Sequence, residues 1–423
     1  MTVLGNKISR QQIDEALLVA VSSSVFLPIG LSSLIIILAA LNFLFDRNLN
    51  IKLQQLLTNK LALLVMGLFV IQIFSALISQ NSHEAFLVVE RRLSFLLFPL
   101  LLLGHSSGST IKKVSLSFVF ACQVSILICL GGAFVLFIHS NDWGVFFYHN
   151  LSSILGLNAI YLSIYCSFSL FVLLYYYKNF SIVERRISLV SMVFLMFGLV
   201  LLSSKMLLFG TLIGVVLFLV WKLRSRYHKG LIFSGAMIFC SLVLILKPVR
   251  QRFQIEFNSN TEVLKLNQYR YDTPFTGLTL RLVIWKFCYE IINEKRAWIS
   301  GVGVGDFQDL LNQKYTERGL YIGNKQLGDT GYIGYGPHNQ WVETFISMGL
   351  LGLLYFIFLV SFVFNHYKKQ GNVLSILFFM IFIMVSFTEC VLSTNKGIVF
   401  FAFFICLFNG YNCRTISSND RNE

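Results

Sequence analysis

The residues best suited to chemistry lie in the stretch 336–341 (GPHNQW), which ends a long polar segment and precedes an apolar one. Pro337 fits the first turn of a helix, where its missing N–H costs nothing. His338 and Asn339 would then lie at the positive end of the helix dipole. That position disfavours imidazolium, so we expect a neutral His338 that can accept a proton as a general base. The alternative is that His338 only caps a membrane helix at the interface.

The elements that position this stretch are apolar enough to cross a membrane. Of the 423 residues, 56% are hydrophobic and 13% are charged, whereas soluble proteins average about 25% charged residues. The sequence therefore predicts an all-α polytopic membrane protein with about twelve transmembrane helices, the first two separated at Pro28. The candidate helices cover about 15–29, 31–45, 61–79, 93–104, 114–138, 152–177, 187–203, 206–222, 230–247, 340–364, 373–391 and 397–411.

The distribution of Lys and Arg predicts the orientation of these helices. With a cytoplasmic N-terminus, 18 of the 34 Lys and Arg residues fall in cytoplasmic pieces and only four in short outer connections. Because cytoplasmic loops are enriched in cations, we expect both termini in the cytoplasm. The other cations lie in one long outer segment, and long segments translocate regardless of charge. The net charge of +14 is therefore a topology signal. We expect no nucleic-acid partner, since no basic face is interleaved with aromatic residues.

The chain accordingly divides into helices at 1–247, an outer segment at 248–338, and further helices with a cytoplasmic tail at 339–423. Within the outer segment, 277–296 reads as a helix and 306–315 as a second short helix. The glycine-rich stretch 301–305 between them resembles a phosphate loop, but a turn between helices is the better interpretation. The stretch 319–337 is rich in Gly and Tyr and suggests a lid or a substrate-lining loop.

Arg281 is the most informative residue of the outer segment. It lies on or beside an apolar stripe of the first helix, and an arginine on a packing face needs a partner. It could be an anion clamp or an ordinary snorkelling or salt-bridged arginine. The stripe consists of Leu278, Leu282, Trp285, Tyr289 and Ile292.

Four cations in the short outer connections are further candidates. Lys205 follows two serines between apolar helices, and Lys396 lies at the start of the last helix. Arg91 and Arg92 follow Glu90, which could neutralise one of them and leave the other spare. Charges at a membrane edge are candidate functional groups, although a lysine there can also snorkel to the headgroups. Together with Arg281, these cations could surround a multivalent anion such as pyrophosphate.

The motif His338-Asn339, nine residues, Gly349, two residues, Gly352 resembles the signature of the O-antigen ligase superfamily, which includes O-antigen ligases, O-antigen polymerases and bacterial O-linked oligosaccharyltransferases. Nearly the whole chain fits, with about twelve helices and a large outer loop before the tenth. The segment with Arg281 and Trp285, and then Gly303, Gly305 and the neighbourhood of Phe307, is also similar. The Ser-Ser-Lys at 203–205 looks like the family's Ser-Ser-Arg, and this departure puts a bidentate role at Lys205 in doubt.

The resemblance implies a glycosyltransferase of the GT-C type in the bacterial inner membrane, with a periplasmic active site. Members take a glycan from undecaprenyl pyrophosphate and pass it to an acceptor hydroxyl, which in ligases belongs to the lipid A core. The reaction is inverting and needs no metal or other cofactor. By this resemblance His338 would activate the acceptor, and Arg281, Lys205 and Arg91 or Arg92 would hold the pyrophosphate. Asn339 and Lys396 complete the expected substrate-binding set.

Two other functions are weighed against the ligase. A polymerase of the same superfamily would join repeat units on the same lipid carrier. A transporter or flippase belongs to a different class, in which repeated halves and mid-membrane charges are common. The cations here cluster at the outer face, and one large loop breaks any symmetry, so a transferase is favoured.

Overall fold

The computed structural model describes residues 9–46, 49–102, 107–222, 250, 261–324, 326 and 328–409. Within these ranges the chain is helical and contains no strand, apart from one isolated bridge between Asn324 and Asp329. The helices of the first half are Arg10–Ser23 (α1), Ile29–Leu44 (α2), Leu49–Thr58 (α3), Lys60–Leu77 (α4), Ser82–Arg91 (α5), Ser94–Leu101 (α6), Gly108–Ser140 (α7), Tyr148–Ser152 (α8), Ala159–Tyr176 (α9), Ile182–Leu202 (α10) and Lys205–Lys222 (α11).

The helices of the second half are Gly277–Glu294 (α12), Phe307–Glu317 (α13), Gln340–Gln370 (α14), Val373–Ser386 (α15) and Asn395–Asn409 (α16). Many begin at a Ser or Asn whose side chain accepts a backbone N–H of the first turn, as Asn59 does for α4 and Ser181 for α10. Such caps satisfy donors that a helix end leaves unpaired. The break expected at Pro28 is confirmed, because α1 ends before it and α2 begins immediately after it.

Five of these helices are long and apolar enough to cross a membrane: α4, α7, α9, α10 and α14. The bent pair α2 and α3 would add a sixth. α11, α15 and α16 are apolar but shorter, and α6, in the predicted run 93–104, has only eight residues. A polytopic membrane protein is therefore confirmed, whereas the count of twelve stays a prediction. The predicted helix at 230–247 lies outside the described residues.

The centre of the membrane part is packed with aromatic rings around α9. The Phe168 ring lies 4.6 Å from that of Phe404 and 5.4 Å from that of Phe118. Tyr165 and Phe400 extend the same cluster, with ring centroids 4.9 Å apart. These separations suit edge-to-face and tilted packing, which adds to the dispersion energy of a dense interior. The cluster joins α7, α9 and α16. It therefore fixes the position of α9, the helix whose first residues lie at the candidate site.

The outer segment has its own apolar core, formed by α12 and α13. The two predicted helices are confirmed, and Leu311 and Tyr315 of α13 are buried, with Phe307 and Leu310 packed against them. The predicted stripe of α12 is wrong, because Leu278 and Tyr289 are exposed. The buried face of α12 consists instead of Val283, Ile284, Phe287, Cys288, Ile291 and Ile292.

Candidate active site

The site is built around the junction where α14 begins. The expectation that Pro337 occupies the first helical turn is wrong: the helix starts at Gln340, and Asn339 is its N-cap. The Asn339 side-chain oxygen accepts the N–H groups of Trp341 and Val342, at 2.9 and 3.1 Å. His338 therefore lies just outside the helix, with a φ of 47°. A left-handed backbone is uncommon for a residue other than glycine and often marks a functional position.

The first residues of α14 hold the loop between α15 and α16 against the helix start. Asn339 Nδ2 donates to the Phe387 carbonyl at 3.1 Å, and Gln340 Oε1 accepts the Leu392 N–H at 2.7 Å. Trp341 Nε1 donates to Ser386 Oγ at 2.9 Å. The amide of Asn339 is thus engaged within the protein at both its oxygen and its nitrogen, which is a structural function.

The loop places Glu389 between His338 and Arg281. His338 Nδ1 lies 3.2 Å from one carboxylate oxygen of Glu389, and Arg281 donates to the other oxygen at 3.2 Å. Glu389 is mostly buried, whereas about a third of the His338 side chain remains accessible. Arg281 also contacts the Gly277 carbonyl at 3.4 Å. The partner that the sequence demanded for Arg281 is therefore Glu389.

This contact determines what the imidazole can do. An ionised carboxylate only accepts hydrogen bonds, so the Nδ1 contact requires the hydrogen of His338 to lie on Nδ1. Nε2 is then the ring nitrogen with a free lone pair. A carboxylate on Nδ1 also stabilises the imidazolium that forms when Nε2 takes a proton. The pair has the arrangement of a general base and the group that orients it.

Sequence reasoning missed Glu389, although a signal was present. It is the only Asp or Glu between Glu343 and Asp420, in the most apolar part of the chain. Ionisable residues inside such a region are functional candidates. The argument that singled out the cations at the membrane edge therefore applies equally to this carboxylate.

A cleft of about 550 Å³ opens beside His338. The outer segment forms one wall, and the α5 end, the start of α9 and the α15–α16 loop form the other. The polar residues that line it are Glu84, Arg91, Arg92, Asn158, Tyr161, Gln308, Asp309, His338, Glu343, Glu389, Ser393 and Thr394. Gly334 and Gly336, from the stretch 319–337, also line it.

Arg91 and Arg92 differ sharply within this cleft. Arg92 is buried, with its Nη2 3.0 Å from a carboxylate oxygen of Glu343 and its Nε donating to the Leu392 carbonyl at 3.2 Å. Its Nη1 is buried and has no hydrogen-bond partner among the described residues. Arg91 is exposed, and its Nε donates to the Leu87 carbonyl. The neutralising partner of Arg92 is thus Glu343 rather than the expected Glu90.

The structure does not bring Lys205 or Lys396 to the cleft lining. Lys205 begins α11 and is half-buried there. Lys396, at the start of α16, donates from Nζ to the carbonyl of Leu27, next to the break between α1 and α2. The five cations expected to surround one anion therefore separate, and only Arg91 and Arg92 line the cleft, with Arg281 behind Glu389.

The glycine-rich stretch 301–305 is a turn between α12 and α13, as interpreted from the sequence. The Val302 and Gly303 N–H groups donate to the α14 carbonyls of Ile346 and Ser347, at 2.9 and 3.1 Å. The Gly305 N–H donates to Ser79 Oγ at 3.0 Å. The N–H groups of Gly301, Val302, Gly303 and Gly305 are thus used by the protein itself, which does not fit a phosphate cradle.

Gly349, in the second half of the motif, lies against the same turn. At Gly349 the backbone of α14 departs from helical geometry, with φ 63° and ψ −164°. The following N–H groups, of Leu350 and Leu351, donate to the carbonyls of Trp298 and Ile299 at 2.8 and 3.2 Å. A Cβ added at Gly301 would lie 2.5 Å from the Gly349 nitrogen. Glycine is needed on both sides because the two backbones touch.

The fold and the cleft together define a multi-pass helical membrane protein with an oriented imidazole at one edge of its apolar core. The Wzy_C family, described as O-antigen ligase, matches residues 190–357. This stretch of the chain is similar to the O-antigen ligase family, and the resemblance read from the His338 motif is confirmed. The match includes Lys205, Arg281 and His338, whereas Arg91, Arg92 and Glu389 lie outside it. No curated protein matches the chain.

Proposed function

We propose that this protein is an O-antigen ligase that moves a glycan from undecaprenyl pyrophosphate to a hydroxyl of the lipid A core, at the periplasmic face of the inner membrane. The observation that carries the proposal is the His338–Glu389 pair in a cleft that also holds two arginines. The family match supports a membrane transferase acting on a lipid-linked glycan. The specific donor, acceptor and side of the membrane belong to the proposal.

His338 is the proposed general base. Its Nε2 takes the proton of the acceptor hydroxyl while the oxygen attacks the anomeric carbon of the donor sugar. The bond from that carbon to the pyrophosphate oxygen breaks, and the attack from the opposite face inverts the anomeric centre. Glu389 holds Nδ1–H and balances the positive charge that develops on the ring.

The arginines are the proposed site for the pyrophosphate. Arg91 faces the cleft as an exposed guanidinium, and Arg92 offers the unpaired Nη1. A guanidinium donates to phosphate oxygens with matched geometry and remains charged at all relevant pH values. Two such groups can stabilise a pyrophosphate leaving group by electrostatics alone. The proposed reaction therefore needs no metal ion.

Arg281 is proposed to act through Glu389. Its bond to one carboxylate oxygen fixes the other oxygen opposite His338 Nδ1, and its Nε is buried without a partner among the described residues. Lys205 stays a proposed positive charge at the outer end of α11, for a substrate that extends beyond the cleft. Lys396 and Asn339 are occupied with Leu27 and with the α14 cap, and we assign them no substrate contact.

We propose the GT-C architecture with about twelve transmembrane helices and both termini in the cytoplasm. Activity of reporter fusions tests the orientation. A periplasmic reporter fused at Lys113, Arg186, Arg224 or Lys369 should be inactive, and one fused at Tyr269 or Tyr321 should be active. Periplasmic activity at Arg224 would overturn the topology.

Two measurements test the reaction. Purified protein should transfer a lipid-linked glycan to lipid A core at the same rate with and without EDTA; loss in EDTA and recovery with Mg²⁺ would contradict the proposed arginine mechanism. The second is the lipopolysaccharide ladder of a deletion strain. A ligase predicts that long glycan disappears from lipid A while lipid-linked polymer accumulates. A ladder reduced to a single repeat unit would identify a polymerase instead.

A further inference from the structure

The outer segment exposes an apolar surface that its own core does not use. We call this the 289–299 surface, formed by Tyr289, Trp298 and Ile299, whose exposed fractions are 58%, 42% and 66%. The Tyr289 and Trp298 rings lie 5.7 Å apart, and Trp298 also packs 5.8 Å from Phe345. Three adjacent large apolar side chains facing outward require an explanation, because soluble surfaces rarely present such contiguous patches.

This surface is continuous with the lipid-facing side of a spanning helix. The Trp298 and Ile299 carbonyls accept the N–H groups of Leu350 and Leu351, which are 47% and 63% exposed. Further along α14 the exposed large residues are Leu354, Ile357, Phe358 and Phe364. With Leu350 and Leu351 they follow a helical period, and an exposed apolar stripe on a helix long enough to cross a membrane faces lipid. The 289–299 surface begins where that stripe reaches the kink.

A second spanning helix ends at the same place. The last turn of α4 exposes Leu77, and Ile78 follows it, with exposed fractions of 76% and 50%. Ile78 lines a pocket together with Lys295, Arg296 and Ala297. The 289–299 surface therefore lies beside the ends of two membrane helices, which is the depth of a membrane–water interface. Tyr and Trp are enriched at that depth because one part of each ring system is apolar and another is polar.

Two cations adjoin this surface. Lys295 and Arg296 are exposed and are separated from Trp298 and Ile299 in the chain only by Ala297. Neither makes an ion pair within the part of the chain that the structure describes. Cations beside an apolar surface are the usual composition of segments that lie in an interface, since they attract lipid phosphates while the apolar side chains enter the acyl boundary.

We propose that the 289–299 surface inserts into the interface of the adjacent bilayer leaflet, with Lys295 and Arg296 on lipid phosphate groups. The occupant of the surface is the phospholipid leaflet rather than another protein. Insertion fixes α12, and with it Arg281, at a defined depth. The proposal rests on the membrane location of the protein and not on its reaction, so it holds or fails independently of the proposed transfer.

The test uses the full-length protein in nanodiscs, where both faces are open to solution. Ile299→Cys carries a bimane label, and Thr316→Cys is the matched control, since Thr316 is exposed on α13 of the same segment. Unsubstituted protein, treated identically, gives the labelling of the native cysteines. Quenching is measured with aqueous iodide and with phospholipids that carry a nitroxide on the acyl chain.

Insertion predicts that iodide quenches the Ile299→Cys label about fivefold less than the Thr316→Cys label, because interfacial side chains lie several ångströms inside the boundary. Acyl-chain nitroxide should quench the first label and not the second. Equal iodide quenching at both sites would overturn the proposal. Protection of the Ile299→Cys label from both quenchers would overturn it in favour of a protein partner.

The contribution of the cations is tested in the same system. Lys295→Gln/Arg296→Gln, added to Ile299→Cys, should raise iodide quenching about twofold in nanodiscs of anionic phosphatidylglycerol, since each interfacial cation contributes modestly to lipid attraction. In zwitterionic phosphatidylcholine the double substitution should have little effect. An equal effect in both lipids, or none in either, would contradict the assignment of these cations to lipid phosphate.

Discussion

Two arginine–carboxylate pairs flank the cleft, and they differ in burial and in neighbours. Arg92–Glu343 is almost fully buried, with side chains 4% and 3% exposed, and it does not contact His338. Arg281–Glu389 is more accessible, at 29% and 14%, and its carboxylate contacts the imidazole. The same pair of residue types therefore has two functions. One pair balances a charge deep in the protein and includes Arg92, a proposed pyrophosphate-binding residue, and the other pair holds the proposed base.

The largest effect is expected at the base that only the accessible pair contacts. His338→Ala and His338→Gln should lower the transfer rate by about 10²–10⁴, the usual contribution of a positioned acid–base group. His338→Asn is the matched variant for the backbone, because Asn tolerates the left-handed conformation. All three should express and insert normally. If His338→Gln kept most of the activity in the purified transfer assay, His338 would have only a structural function beside the start of α14.

Breaking the buried pair should chiefly affect stability. Glu343→Gln leaves the Arg92 charge buried without its partner, which costs about 3–5 kcal/mol in comparable sites. Thermal unfolding of the detergent-purified protein measures the change. Arg92→Met/Glu343→Met, which removes both charges, should be more stable than Glu343→Gln. A single variant as stable as the unsubstituted protein would show that burial does not distinguish the two pairs.

Breaking the accessible pair should give the opposite result. Glu389→Gln should lower the transfer rate about 10- to 100-fold, less than loss of the base itself, because the amide no longer stabilises imidazolium. The free energy of unfolding should change by about 1 kcal/mol or less, since partly exposed ion pairs contribute little to stability. Comparing the transfer rate and the free energy of unfolding of Glu389→Gln with those of Glu343→Gln tests whether the two pairs have different functions. A large loss of stability with normal transfer in Glu389→Gln would reverse it.

Arg281 should show a graded effect within the accessible pair. Arg281→Ala should reduce the transfer rate more than Arg281→Lys, since lysine retains the charge beside Glu389 but loses the planar donor geometry. Initial rates at saturating donor, at matched protein concentration, separate the two variants. Full activity of Arg281→Ala at normal expression would make this arginine purely structural.

The smallest effect is expected at Lys205, outside both pairs. Lys205→Arg should retain nearly full transfer, because a positive charge at the end of α11 is what this position is proposed to supply. Lys205→Gln serves as the control that removes the charge, and its rate should fall below that of Lys205→Arg. Equal rates for the two variants would show that charge at Lys205 has no part in transfer.

The sequence predicted elements that depend on local pattern. Apolar runs predicted the helices around the cleft, and glycine content predicted the turn at 301–305. The position of Arg281 on or beside an apolar stripe predicted that it needs a partner. The start of α14 was misplaced by three residues, because Pro337 and Asn339 are both acceptable start signals. In the structure, the Pro337 carbonyl instead accepts Trp285 Nε1 at 2.7 Å.

The sequence could not identify contacts that depend on the closure of the whole chain. Glu343 is 251 residues from Arg92, and Glu389 is 108 residues from Arg281. No local pattern pairs such residues, and Glu90 was only the nearest carboxylate in sequence to Arg92. The face of α12 was misjudged for a related reason. That helix is apolar on two sides, and periodicity alone cannot decide which side meets its own core and which meets another medium.

The kink at Gly349 explains why the number of residues between His338 and Gly349 matters. The beginning of α14 is hydrogen-bonded to the α15–α16 loop, and its kink is hydrogen-bonded to the turn at 298–303. Each residue of an α-helix adds about 100° of rotation. One inserted or deleted residue between these two sets of hydrogen bonds would therefore rotate one set away from its partners. The number of residues between these two contacts therefore sets the angle at which the imidazole meets its carboxylate.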